Sequence, residues 1–283
     1  MKKLYCILLA VLCLGTVGCI LFKSTQKTSK ISEVFIDAKR KRIENEIANL
    51  HDHPWAGQYY NGDGLGANIT LTLAPKNGFT ITWYGCLGLY DQNHGTVDWD
   101  GNTIKLSFKS AVEDGGIGSY ASEYKSIRWG ERLYLIPTDK VIQFCYAVNS
   151  GDEPRTGRRN FSRFFLREGD WDKKVEGKPE IPVEFAAYLL DEPIEAAIVS
   201  VGNIQQKDSI GNTADVVINK GKRDGLQLGM RMHVVKPGVF GRMDLTSVGE
   251  THSEGELYYS PDGQSEERIP TTDWRLSTRS RWK

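Results

Sequence analysis

Ile69-Thr70-Leu71-Thr72-Leu73 and, after a short turn, Phe79-Thr80-Ile81-Thr82-Trp83-Tyr84 decide the fold. Apolar and polar residues alternate with period two, the spacing of a strand with one face buried. Most positions are β-branched or aromatic, which suits a pleated surface. Val97 and Trp99 lead into Asp100-Gly101, a hairpin turn, and Ile104, Leu106 and Phe108 resume the alternation. Ile127 and Trp129 repeat it, as do Leu133 and Leu135 after Gly130-Glu131. Residues 141–148 are nearly all apolar and read as a strand covered on both faces. Residues 161–166 close the set. Eight or nine strands spaced in this way predict an antiparallel meander over residues 55–167, closed or nearly closed into a barrel.

Downstream, residues 168–192 are charged and broken by Gly169, Gly177, Pro179 and Pro182, which marks a linker. A short helix is expected over residues 183–190, and residues 194–201 read as a buried strand. The remaining chain, residues 193–283, carries the most specific pattern. A strand from Asp215 runs into Asn219-x-Gly221, then Asp224-Gly225, then Gly229-Met230 and an alternating strand to Val234. Asp224-Gly225 suits a turn with positive φ. Gly229 lets the chain re-enter a sheet beside its neighbour. Residues 243–248 and 255–259 suggest further strands, and residues 273–279 a last one. The fold class is therefore all-β, with two β barrels and one N-terminal helix.

That helix is expected over about residues 33–50. Val34, Phe35, Ala38, Ile43, Ile47 and Leu50 recur at helical spacing, and Pro54 follows the end. Its Lys39-Arg40-Lys41-Arg42 run either touches anionic lipid or forms a solvated face paired with Glu44 and Glu46. Residues 23–54 thus hold a polar tether and this helix.

The first 22 residues form a signal or anchor. Lys2 and Lys3 precede an uncharged run from Leu4 to Leu14, then Gly15-Thr16-Val17-Gly18-Cys19. A basic start, an apolar stretch and a small residue before the cut make a signal peptide. Gly18-Cys19 resembles the lipobox of bacterial lipoproteins, in which a diacylglycerol is attached to the cysteine before cleavage. Thr16 departs from the leucine usual in that family. The resemblance implies a lipid anchor on Cys19 and a body in the bacterial cell envelope. The apolar run also continues to Phe22, long enough to span a bilayer as an uncleaved anchor. In both readings the N-terminus meets a membrane; simple secretion with the signal removed is the third, and in all three the body lies outside the cytoplasm.

The chain has 283 residues, with 36 basic and 36 acidic. Cleavage at Cys19 removes Lys2 and Lys3 and no acid, leaving 34 basic against 36 acidic residues. A near-neutral body has no electrostatic footprint for nucleic acid. Cys86 and Cys145 would be the even pair left after processing, either a disulfide or two buried thiols.

Chemistry is sparse. No nucleophile elbow, zinc-helix motif or phosphate-binding loop is present, and no cofactor or metal set is expected. His51 and His53 flank Asp52, with no second cluster to complete a metal site. Asn61, Asp63 and Asn68 offer oxygens among alternating glycines, but an EF-hand loop from Asn61 would need a glutamate where Thr72 stands. Arg155, Arg158 and Arg159 make a basic loop. Gly85 and Gly88 lie among aromatic residues and allow a bulge or a ligand's close approach. The order Trp55-x-Gly57-x-Tyr59, followed by the meander, resembles the lipocalin-type barrels. That implies a candidate ligand pocket lined by Trp83, Tyr84, Tyr90, Trp99 and Trp129. The Asn219–Gly229 pattern is similar to small barrel modules of rod-shape-determining, flagellar and curli assembly proteins. That implies a structural role for Gly221, Gly225 and Gly229 and a partner-binding role for the domain.

Three functions follow. The first is a membrane-tethered, non-catalytic envelope scaffold that binds a protein partner. The second is a tethered barrel for a small apolar or sugar ligand. The third is a glycan hydrolase with a carboxylate pair that only spatial proximity would reveal.

Overall fold

The computed structural model describes residues 32–64, 66–110, 116–154, 164–207, 211–261 and 269–280. The signal or anchor segment and Cys19 lie outside the described residues, as do Arg155, Arg158 and Arg159. The described chain forms two closed barrels and few helices. None of the described helices is long and apolar enough to cross a membrane.

Barrel one is a meander of β1 (Gly57–Gly62), β2 (Asn68–Ala74), β3 (Gly78–Gly85), β4 (Gly88–Trp99), β5 (Ile104–Phe108), β6 (Glu123–Trp129), β7 (Arg132–Pro137) and β8 (Phe165–Arg167). Each strand pairs antiparallel with the next, and β8 pairs back onto β1 through Tyr59↔Arg167 and Tyr60↔Leu166. The alternation sets the register. Tyr59, Leu71 and Ile81 form one cross-strand row, and Leu73, Phe79, Gly95 and Phe108 another. The Phe79 ring lies over Gly95, where a Cβ would meet its Cε1 at 2.7 Å and the Ser107 carbonyl at 1.9 Å. Arg167 ties the closure. Its Nη2 donates to the carbonyls of His53 at 3.1 Å and Ala56 at 2.9 Å.

Helix α1 (Glu33–Ala48) lies along the outside of β3. Glu33 at its start accepts from the Tyr84 hydroxyl at 3.2 Å. Near its end, Glu46 accepts the backbone N–H groups of Lys76 and Asn77, each at 2.8 Å. These contacts are at opposite ends of β3. The helix therefore covers Thr72, Thr80 and Thr82, which are buried although they point away from the barrel interior. Its buried face carries Ile36 and Ile43, while Val34 and Phe35, expected to pack, are exposed. In the basic run, Lys39 donates to the Asn77 carbonyl at 2.9 Å and Arg40 pairs with Asp37.

Residues 141–148 correct the reading of a buried strand. They form helix α2 (Val141–Asn149). Val141, Phe144, Cys145 and Val148 recur at helical spacing, so one face of a helix is apolar. That face packs on Ile127, Trp129, Tyr134, Ile136, Phe164 and Leu166, making a second core on the outside of barrel one. A helix buries this run on one side of the sheet, which a wall strand with polar neighbours would not.

The segment expected as a linker is strapped to the same flank. Asp170, fully buried, accepts the Leu133 N–H at 2.9 Å. Buried Arg132 donates to the Lys173 carbonyl at 2.7 Å, and Trp129 Nε1 to the Gly177 carbonyl at 3.0 Å. The Glu180 N–H donates to the Arg128 carbonyl at 2.8 Å. The short helix expected over residues 183–190 is a 3-10 helix at Val183–Tyr188.

Barrel two contains β9 (Glu195–Lys207), β10 (Gly211–Ile218), β11 (Arg231–Val234), β12 (Val239–Val248), β13 (Ser253–Pro261) and β14 (Arg275–Ser277), in the spatial order β10-β13-β12-β11-β14-β9. The tail expected as a last strand is β14. It closes the barrel by pairing with both β11 and β9.

Candidate functional site

The five aromatic residues expected to share a pocket are dispersed. Trp83 and Tyr90 meet edge to face at 5.7 Å, with Trp83 partly buried against the barrel-one core. Tyr84 turns outward to α1. Trp99 is 43% exposed and leans on Trp55 and His53. Trp129 belongs to the core beneath α2. Inside the barrel, Tyr59, Leu71, Phe79, Ile81, Tyr124, Leu135 and Phe165 are among the side chains that occupy the space. A Cβ on Gly85 would meet the Tyr90 ring at 2.1 Å, so that glycine admits a neighbouring side chain.

Other candidates resolve into local structure. Asp63 Oδ1 accepts the N–H groups of Gly66 at 2.8 Å and Ala67 at 3.0 Å, closing an Asx-type turn. Asn68 accepts from the Tyr60 hydroxyl, and Asn61 donates to the Phe164 carbonyl at 2.7 Å. His53 Nδ1 accepts the Ala56 N–H at 3.0 Å. Burial and the nearby Arg167 hold the His53 pKa below its ordinary value, which keeps that acceptor unprotonated. No disulfide joins Cys86 and Cys145. Cys86 is exposed in the β3–β4 turn and Cys145 is buried under α2.

The second-barrel turn is built by its motif. Asp224 accepts the Gly221 N–H at 3.0 Å and pairs with Lys220 at 2.7 Å. Those two bonds draw its pKa below the carboxylate norm. Asn219 Oδ1 accepts the Ala197 N–H at 2.8 Å. Gly225 and Gly229 sit at φ 98° and 83°, conformations that favour glycine. A Cβ on Gly221 would meet the Gly249 carbonyl at 2.5 Å.

A polar cluster lies where the barrels meet, and sequence reading did not find it. Tyr146 Oη and Ser150 Oγ, from the end of α2, each lie 2.8 Å from His233 Nε2 on β11. The Tyr146 ring stacks on the His233 ring at 5.3 Å, and Arg231 stands over the Tyr146 ring. Arg231 pairs with Asp244 at 2.7 Å. Burial lowers the His233 pKa. Arg231 and Arg242 lower it further, while Asp152 opposes them. Asn149 clips the strap to the junction, donating to the Tyr188 carbonyl at 2.8 Å and accepting the Leu190 N–H at 3.0 Å.

A serine, a tyrosine and a histidine within hydrogen-bond reach are the raw material of nucleophilic chemistry. Here Ser150 is buried, and the cavity beside the cluster holds about 10 Å³. That is room for about one water and none for a substrate. The cluster therefore works as a polar weld. The missed signal was the helical period of residues 141–148, which turns Tyr146 away from the Val141/Phe144/Cys145 face and toward the second barrel.

Among the described residues, no group of three His, Cys, Asp or Glu side chains is placed to hold a metal ion. No protein-family model, no curated protein and no solved structure matches the chain.

Proposed function

We propose that this chain is a membrane-tethered, non-catalytic scaffold of a bacterial cell envelope, with barrel two as its partner-binding module. The observation that carries the reading is the filled and welded body. A ligand inside barrel one would have to displace Tyr59, Phe79, Phe165 and their neighbours, and cores packed to native density yield such space at a cost of several kcal/mol. The Tyr146–Ser150–His233 contacts join the barrels with a cavity of only about 10 Å³ beside them. Residues 1–22 and Gly18-Cys19 support the tether.

Intact mass of the membrane-extracted chain tests the tether. A chain beginning at an acylated Cys19 is expected, and Cys19→Ala should then lose processing and acylation. A mass retaining Met1 replaces the lipid with an uncleaved anchor, and a soluble chain removes the tether altogether. Native mass spectrometry tests the scaffold reading. A stoichiometric small molecule carried in barrel one would replace it with the ligand-binding one. Photo-crosslinkers at exposed Val199 and Phe240 of barrel two should give one defined protein adduct in cells.

A further inference from the structure

We propose that one end of barrel one docks on the surface of the phospholipid bilayer that holds the N-terminus, using the first turn of α1 and the β3–β4 hairpin. This rests on the tethered reading and adds the face that meets the lipid. Two large apolar side chains of these elements are left in solvent, Val34 at 78% exposure and Leu87 at 74%, while the half-exposed Phe35 ring leans on His94 at 4.9 Å. Separate exposed apolar residues are ordinary; what sets these two apart is that a helix start and a hairpin turn are brought to one end of the barrel. The Tyr84–Glu33 hydrogen bond holds the start of α1 beside the hairpin. Leu87 lies in the turn just beyond the Tyr84↔Leu89 pair.

Chain length selects the occupant. Ser32 is ten residues beyond Phe22 and thirteen beyond Cys19. Even fully extended, those spans reach at most about 35 and 45 Å. The first turn of α1 is thus the described part of the body nearest the anchor along the chain. Charge agrees. Lys23, Lys27 and Lys30 precede α1 with no acid among residues 23–32, and Lys41 and Arg42 are exposed on α1. Basic residues close to a bilayer favour anionic headgroups. Of the acids on the first two turns of α1, Asp37 pairs with Arg40 and Glu33 accepts from the Tyr84 hydroxyl.

Exposed Cys86, beside Leu87, supplies the probe. The full chain is reconstituted into vesicles of phosphatidylcholine and phosphatidylglycerol, and Cys86 carries a nitroxide. The Cys86→Ser chain gives the background from other thiols. The docked face predicts that the label collides more with lipid-soluble oxygen than with a water-soluble nickel chelate, and that Val34→Asp with Leu87→Asp abolishes this preference. Vesicle-bound chain with a water-accessible Cys86 label refutes docking and leaves the tether standing. Failure of the chain to sediment with vesicles refutes the tether, and docking with it. Shielding of the label in detergent, with a crosslinked dimer, assigns the patch to a second copy and overturns the lipid surface.

Discussion

Mild acid should loosen the junction between the barrels through His233. In the folded chain two hydroxyls lie 2.8 Å from its Nε2, and Arg231 and Arg242 repel a charge there. Asp152 favours the charged ring but does not outweigh burial and the two guanidinium groups. The folded pKa therefore lies below the ordinary 6.5. Above that value the ring is neutral in folded and unfolded chains alike, and its contribution to stability is complete. Below it, the unfolded chain takes up a proton that the junction resists. Stability then falls by up to about 1.4 kcal/mol per pH unit until the folded pKa is reached. Against a typical total of about 5–15 kcal/mol, the loss is easily measured. Urea unfolding of wild type and His233→Gln at about pH 7.5, 6.5 and 5.5 isolates it as the difference between their pH slopes. His53 and His94, whose pKa values burial also lowers, are common to both chains and cancel. Near pH 7.5 the variant should lose about 1 kcal/mol for the altered hydrogen bonds. Equal pH slopes for the two chains would refute the assignment.

Gly95→Ala should destabilise barrel one by about 1–3 kcal/mol or prevent folding, since the new methyl meets the Ser107 carbonyl and the Phe79 ring; thermal unfolding reads it. Ile43→Ala should cost about 2–5 kcal/mol, because that side chain is fully buried beneath α1. Glu184, held to about 2 by hydrogen bonds from Lys125 and Asn102, is half in solvent, so Glu184→Gln should cost only about 1 kcal/mol at neutral pH. That difference should shrink as pH falls from the unfolded value of 4.5 through the folded one, seen by denaturation at stepped pH. Cys86 should react readily with a maleimide, whereas burial pushes the Cys145 thiol up to about 12, so Cys145 should react only on unfolding.

The strands of barrel one were legible because apolar and polar residues alternate along most of them, even where α1 covers the outer face of β3. The run at residues 141–148 was not, because a short apolar stretch satisfies both periods. Phe144 and Cys145 as neighbours on one buried face were the clue to a helix. Val34 and Phe35 misled for a different reason. They have the spacing of a buried face, but α1 meets β3 through Ile36 and Ile43, and helical spacing alone does not tell which stripe finds a partner. The turn at Asn219–Gly229 was readable because its bonds are local. The weld was not, since Tyr146 and His233 are 87 positions apart and neither breaks a local rule. The pocket aromatics failed to converge because strand direction does not say which rings point inward and which lie under a helix.

The strap from Asp170 to Glu180 has a mechanical consequence. A slack connector would leave each barrel to respond alone when the body is pulled. Here the connector is stitched to β6 and β7 by Asp170, Arg132, Trp129 and the Glu180 N–H. A load applied to barrel two must shear those bonds together, in parallel, before the connector can lengthen. Tension at the far end of the molecule is thus delivered to the wall of barrel one.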